Sequence, residues 1–348
     1  MKPSSNTLRT IDELCARALV PRDKLDALAE VAARYAVALT PAMADLINPN
    51  DPGDPIARQF VPGARELEQT PEERADPIAD DPFSPVEGVV HRYPDRVLLK
   101  IVNACAVYCR FCFRREMVGP GRGGLSAAAL AAAIGYIERH PQVWEVILSG
   151  GDPLILSARR IKDVVRRLAA IPHVQVIRVH TRIPVVAPER ISAALVRALR
   201  TDKATFVVLH ANHPRELTQD ARAACARLID AGIPMLSQSV LLRGVNDDVE
   251  TLGTLMRTFV ACRIMPYYLH HADLAPGTAH LRTTIAHGQE LMRGLRGRFS
   301  GLCQPTYVLD IPDGHGKSPI GPNYVSTADS TTLIEDYTGK RHGYPPKS

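Results

Sequence analysis

The chain has 348 residues, 45% of them apolar and 23% charged, with a formal net charge of +5. That much apolar material excludes global disorder, and the length suits one large α/β barrel or two modest domains. The mild positive charge comes with no dense Lys/Arg run and no basic-aromatic stripe, which argues against nucleic acid as a partner. The start, Met1 to Ser5, lacks the apolar stretch of a signal peptide, and no apolar run approaches membrane-spanning length. The odd number of cysteines argues against a disulfide scaffold, so a reducing cytoplasm is the expected setting.

Ile11 to Leu39 is Ala/Leu-rich at helical spacing and broken at Pro21, which predicts two short helices, with Thr40-Pro41 opening another. From Asn48 to Pro94 the composition shifts to Pro, Asp and Glu, in NPNDPGDP, QTPEERADP and DDPFSP. Composition alone reads as a linker. The apolar and aromatic residues of DPIARQFVP and HRYPDRVLLKI predict instead an ordered segment wrapped over the rest. Strands are then expected at Val97–Val102, Val143–Leu148, Val174–His180, Ala204–His210, Ile233–Leu242, Arg263–Leu269 and Thr306–Ile311. Between them, helices are expected at Leu125–His140, Ile155–Ile171, Pro188–Arg200, Pro214–Ala231, Asp247–Ala261 and Thr283–Arg298. Such alternation means parallel βαβ units.

The expected fold class is α/β, a partial (β/α)6-type, TIM-like barrel with an N-terminal helical and acidic Pro-rich wrapping segment. Residues 1–94 form the wrap, 95–325 the barrel, and 326–348 a short C-terminal tail. Barrels of this kind carry their sites on loops after the strands. One mouth should therefore gather Cys105 to Cys112, Gly150 to Asp152, His180 to Arg182, His210, Gln238, Asp273 and Lys317.

The stretch CAVYCRFC sets Cys105, Cys109 and Cys112 at C-x3-C-x2-C spacing directly after a predicted strand. Three thiolates from one loop can hold a [4Fe–4S] cluster and leave one iron open, and an open metal position is where chemistry happens. A zinc knuckle would want a second C-x2-C pair, which is absent. An electron-transfer cluster would want a fourth cysteine, which Cys225, Cys262 or Cys303 could supply, so that reading stays open.

The cysteine spacing resembles that of the radical S-adenosylmethionine (SAM) enzymes, in which SAM chelates the open iron and is cleaved to methionine and a 5′-deoxyadenosyl radical. Four blocks narrow the resemblance: YPDRVLLKI, SGGDPL, LSQSVLLRGVND and DIPDGHGKSPIGPNYV. In order and spacing they are similar to the lysine 2,3-aminomutase family from about Pro55 to Val325. The resemblance implies a [4Fe–4S] cluster on Cys105, Cys109 and Cys112. It implies SAM held by the turn Ser149, Gly150, Gly151 and Asp152, with His210 and Gln238 as further contacts. It implies pyridoxal 5′-phosphate (PLP) in a Schiff base with Lys317, its phosphate on Arg96 with Tyr93 as a weaker companion. Arg114 would bind the carboxylate of the substrate lysine, and Asp273 and Asp310 its side-chain ammonium. Each residue also has an ordinary reading: Asp152 as a turn cap, His210 and Gln238 as satisfied structural residues, Arg96 and Arg114 as surface charges, Lys317 as a solvated lysine in a Gly/Pro-rich loop.

The activity implied is conversion of lysine to β-lysine, driven by a reductant such as flavodoxin or ferredoxin. The form is similar to the branch that makes β-lysine for modifying elongation factor P. Two departures stand out. The family's long enzymes carry a zinc site, but here Asp248 holds the mid-chain cysteine position and no cysteine cluster follows at the C-terminus, so no zinc is expected. The long enzymes' oligomer is not implied either, and a homo-oligomer stays open. In the lysine loop, Asp313 and His315 replace two glycines, and His270 stands where the family often has a tyrosine near PLP, so either it stacks there instead or the cofactor contacts differ. Alternatives are a 2,3-aminomutase for another amino acid, or a non-catalytic iron–sulfur carrier or sensor, which would have no use for Lys317 and Arg96.

Overall fold

The computed structural model describes residues 6–121, 123–328 and 331–346. Two N-terminal helices come first, α1 (Ile11–Ala16) and α2 (Leu25–Arg34). Thr10 caps α1 through a reciprocal bond with Glu13, and Pro21 falls between the helices. The main sheet has nine strands in sequence order: β1 (Val89–Tyr93), β2 (Arg96–Val102), β3 (Glu145–Gly150), β4 (Val176–Thr181), β5 (Ala204–His210), β6 (Met235–Leu241), β7 (Ile264–His271), β8 (Thr306–Ile311) and β9 (Gly316–Pro319). Strands β2 to β8 are parallel, while β1 and β9 pair antiparallel at the two edges.

Each parallel crossover carries a helix: α3 (Ala127–Glu138), α4 (Ala158–Ala169), α5 (Ala193–Leu199), α6 (Gln219–Asp230), α7 (Val249–Ala261) and α8 (Ile285–Leu295). Six βα units followed by a seventh parallel strand make the expected (β/α)6-type partial barrel. The sheet does not close through backbone pairing. Its two edges meet through a side chain, where Tyr93 Oη accepts from the Lys317 N–H at 2.7 Å.

Three predicted helices begin later than expected. Ser157, Ser192 and Thr218 each accept a hydrogen bond from the backbone three residues on, fixing the starts of α4, α5 and α6. The residues before them form separate short turns at Pro153–Ile155, Pro188–Arg190 and Pro214–Glu216. Asp248, at the position where the long enzymes have a cysteine, caps α7 by accepting from Thr251 N at 2.8 Å.

The sequence pattern missed β1 and β9, and placed Lys317 in a Gly/Pro-rich loop; it lies in β9, opposite Asp310 of β8. The stretch beyond Val325 also differs from a tail. It forms an antiparallel sheet of β10 (Val325–Ala328), β11 (Thr331–Glu335) and β12 (Arg341–Tyr344). These strands are four or five residues long and half-buried or exposed, so they leave little apolar alternation to read.

The acidic Pro-rich segment is ordered, and its carboxylates explain why. Asp54, Glu66 and Asp80 are buried. Asp54 pairs with Arg215 at 2.8 Å, Glu66 with Arg110 and Arg115, and Asp80 with Arg92 and Arg114. Glu73 accepts from Gly277 N at 2.8 Å and pairs with Arg282. The segment's negative charge is the complement of arginines around the barrel mouth.

Candidate active site

The loop after β2 carries all three motif cysteines. The N-terminal segment pins it: Tyr108 N donates to Ala38 O at 3.1 Å and Arg110 N to Gln59 O at 2.8 Å. Burial pushes the three thiols up, Cys112 to about 11, and their mutual proximity adds to this for Cys105 and Cys112. A bound cation deprotonates such thiols outright. Cys109 also accepts from Arg182 Nη1 at 3.2 Å. The other candidate ligands lie elsewhere. Cys225 is buried in α6 beside Cys262, which precedes β7, and Cys303 precedes β8. The two that precede strands are at the far end of the barrel from the loop and Cys225 lies in a crossover helix, so the thiols at the mouth are the three of the motif.

Gly150 and Gly151 turn the chain after β3, Gly150 with φ +113°. A Cβ at Gly150 would stand 2.3 Å from Val102 O, and one at Gly151 2.2 Å from Ala104 O. The close backbone approach these glycines permit is to the cysteine loop, with Gly151 N donating to Val102 O at 2.6 Å. Asp152 is fully engaged within the fold. Its Oδ1 accepts from Thr181 Oγ1 at 2.7 Å and Leu154 N at 3.0 Å, and its Oδ2 from Arg182 N at 2.7 Å. It caps the turn after β3, the ordinary reading of this residue, and ties that turn to the end of β4. Ser149 is buried and accepts from Arg114 Nη1 at 3.3 Å.

Arg114 is buried, not a surface charge. Its Nε and Nη2 both donate to Asp80 Oδ2, at 3.2 and 2.8 Å. The Nη1–Nη2 edge is left with only the Ser149 contact, a fork open to a carboxylate. His210 and Gln238 are register partners on β5 and β6. Burial pushes the His210 imidazole down to about 3, with His270, Arg182 and Arg114 adding to it and the Gln238 hydrogen bond opposing. The His180 ring lies 5.4 Å from that of His210, and burial likewise lowers its pKa.

Lys317 Nζ pairs with Asp310 and lies 3.3 Å from His270 Nδ1. Burial works against ionisation of Asp310, but His270 and Lys317 hold its carboxyl well below the usual range. Asp273 is the opposite case. Burial first, and then the charge of Asp310, raise it to about 7. Arg96 stacks on Tyr93 at 3.9 Å and pairs with Asp95 at 2.7 Å. Through Tyr93 it is one residue removed from the Lys317 backbone. His270 Nδ1 also faces Asp310 Oδ2, at 3.6 Å.

Among the buried polar atoms here that have no partner are Nε2 of His180, His210 and His270, and Oδ1 of Asp273. Such atoms are uncommon singly, and together at one barrel mouth they fit a site built for polar ligands. Residues 99–255 match the radical SAM superfamily and residues 292–347 match lysine-2,3-aminomutase. An L-lysine 2,3-aminomutase from Clostridium subterminale is 41% identical over 335 residues, which are 96% of this chain and 80% of that protein.

The chain belongs to the lysine 2,3-aminomutase family. It is 36% identical over 342 residues to the L-lysine 2,3-aminomutase of Bacillus subtilis, covering 98% of this chain and 73% of the relative. It is 33% identical over 337 residues to a glutamate 2,3-aminomutase of Clostridioides difficile, covering 97% and 80%. It is therefore an isomerase, and its family uses a [4Fe–4S] cluster, SAM and PLP. The three thiols and the unpartnered polar atoms fit that set of cofactors. No helix among the described residues is long and apolar enough to cross a membrane.

Arg182 was placed at the mouth from sequence but given no role there, and Glu66 and Asp80 were not singled out at all. The buried Arg182 is held by Glu216 and, through Nη2, by Gln59 Oε1 at 3.1 Å. Asp80 and Glu66 position the arginines that flank the cysteines. A Glu or Asp in a Pro-rich stretch gives no signal of burial; only the surplus of arginine around the cysteine motif hinted that buried partners were needed.

Proposed function

We propose that this chain converts L-lysine to β-lysine by a PLP-dependent 1,2-amino migration. One observation carries the reading: two carboxylates, Asp273 and Asp310, lie beside the Lys317 amine, with Arg114 presenting an open fork at the same mouth. A cationic side chain suits two carboxylates. Glutamate, the substrate named for one relative, would bring its own carboxylate against both.

When bound, the cluster supplies an electron, SAM the hydrogen-abstracting group, and PLP the carbonyl that carries the migrating amine. Cys105, Cys109 and Cys112 hold the cluster. Arg182 fixes Cys109 through its hydrogen bond, and the locked turn at Asp152 sets the backbone of Ser149 to Gly151 against the cysteine loop, where it would meet SAM. His210 and Gln238 offer SAM a neutral imidazole and an amide. Lys317 anchors PLP, and Arg96 on Tyr93 meets its phosphate. Arg114 orients the substrate carboxylate while Asp80 keeps the guanidinium fixed. Asp273 and Asp310 hold the substrate ammonium, so the carbon skeleton is gripped at both ends while C2 and C3 react.

The same reading takes flavodoxin or ferredoxin as reductant in the cytoplasm, with the β-lysine destined for elongation factor P. The test is product analysis with dithionite, SAM, PLP and a panel of amino acids. β-Lysine is the expected product, and absence of amine migration from lysine overturns the reading.

A further inference from the structure

An ε-amine is an ammonium at neutral pH and has no lone pair with which to attack a carbonyl. Lys317 therefore needs a nearby group that can take its proton and give it back. Its two polar side-chain neighbours are Asp310 and His270. Asp310 stays ionised well below neutrality and holds a proton poorly. His270 is a different kind of partner: burial and the Lys317 charge lower its pKa and Asp310 works the other way, so it is neutral and ready to accept. Its Nδ1 is 3.3 Å from Lys317 Nζ and 3.6 Å from Asp310 Oδ2, so one ring nitrogen faces both the proton donor and a carboxylate able to hold the resulting cation. The ring is buried and its Nε2 has no partner. The charged and titratable groups around it come from five strands. They are Lys317 on β9, Asp310 on β8, Tyr268 on β7 itself with its ring edge-on at 5.7 Å, His210 on β5 and His180 on β4.

We propose that His270 is the proton acceptor that frees the Lys317 amine for PLP capture, with Asp310 steadying the imidazolium. The proposal rests on Lys317 being the PLP anchor, as argued above. The proton passes from Nζ to Nδ1. The Nζ lone pair then forms a bond to the aldehyde carbon of PLP, and one proton on nitrogen moves to the aldehyde oxygen. As the C–O bond breaks, the imidazolium returns its proton and the oxygen leaves as water. One ammonium and one aldehyde become one protonated imine and one water, with no redox change.

The experiment mixes PLP-free protein with PLP in a stopped-flow instrument and follows the visible absorbance of lysine-bound cofactor from pH 6 to 9. It compares the native chain with His270→Asn, His270→Phe and Lys317→Ala. Iron content and melting temperature report folding. General-base assistance is typically worth 10²-fold or more, so both His270 variants should capture PLP about 10²-fold more slowly at pH 7.5. Their rates should climb about tenfold per pH unit, following the amine's own deprotonation, while the native rate levels off. His270→Asn can hydrogen-bond but cannot carry a proton; if it captures PLP at the native rate, or both variants are slow with the native pH profile, the proposal is overturned. If His270→Phe does not fold, His270→Asn decides alone. Unchanged absorbance in Lys317→Ala overturns the anchor assignment instead.

Discussion

Asp273 and Asp310 are the same residue type at the ends of neighbouring strands, yet their environments push them apart. Asp310 has Lys317 and His270 as partners and stays ionised. Asp273 has an unpartnered Oδ1 and a carboxyl raised from 3.8 to about 7. A carboxyl whose folded pKa is raised costs stability wherever the unfolded chain would ionise it. The cost is absent below pH 3.8, grows as pH rises, and is complete above about pH 7. Asp273→Asn removes it. In the ligand-free protein this variant should melt higher than the native chain at pH 8, on the order of 2 °C or more, with the gap closing toward pH 4. At the same time it should lose lysine turnover. Melting curves across pH check the first outcome, and β-lysine formation the second. An equal or lower melting temperature at pH 8 would show that Asp273 is already compensated, and that its free oxygen is not waiting for a cation.

At the scale of elements, the acidic Pro-rich segment serves the cysteine loop. Glu66 carries the clearest case, with both oxygens on Arg110 and one on Arg115, which also stacks on Tyr35 at 3.5 Å. Burial alone would raise its pKa, but Arg110 and Arg115 hold it below the usual carboxylate range. Its contribution is therefore present above about pH 4.5 and lost as pH falls. Breaking one side of a buried pair typically costs 3–5 kcal/mol, so Glu66→Gln should destabilise the protein by about 3 kcal/mol in urea unfolding. It should also lose iron faster to a chelator, because Arg110 and Arg115 flank Cys109 and Cys112. The alternation of strands and helices was legible in the sequence because apolar runs and turns repeat with regular spacing. The wrap's anchoring was not, since a buried Glu looks like an exposed one until its arginine partners are placed in space. Asp152 was legible in part. Its position after a glycine turn offered a turn cap as well as a ligand contact, and the structure shows the cap on Leu154, with Thr181 and the Arg182 N–H also donating to it. The three cysteines were legible because their chemistry depends on local spacing within one loop.

At the scale of the whole molecule, the barrel is open, and where it is open decides how the cofactor lysine is held. Strands β1 and β9 are the two edges of the nine-stranded sheet and do not pair with each other. Tyr93 bridges them. Its hydroxyl accepts from the Lys317 N–H, its ring lies against Gly316, where an added Cβ would be 2.9 Å from the hydroxyl, and its other contact is the stacked guanidinium of Arg96. One side chain thus ties the proposed anchor of PLP to the proposed binder of its phosphate across the seam. Tyr93→Phe keeps the ring, the stacking and the packing but removes the acceptor. Leaving a partly buried N–H unpaired costs about 1–3 kcal/mol, and here that loss falls on the seam rather than on the core. The expected result is faster amide exchange confined to residues 315–318, PLP affinity weakened about tenfold or more, and a nearly unchanged cluster site. Hydrogen-exchange mass spectrometry and PLP titration measure both effects on the same protein. If exchange at the seam does not change, Lys317 is held by Asp310 and His270 alone. The open edge would then be incidental to cofactor binding, and Arg96 would act without any link to the lysine.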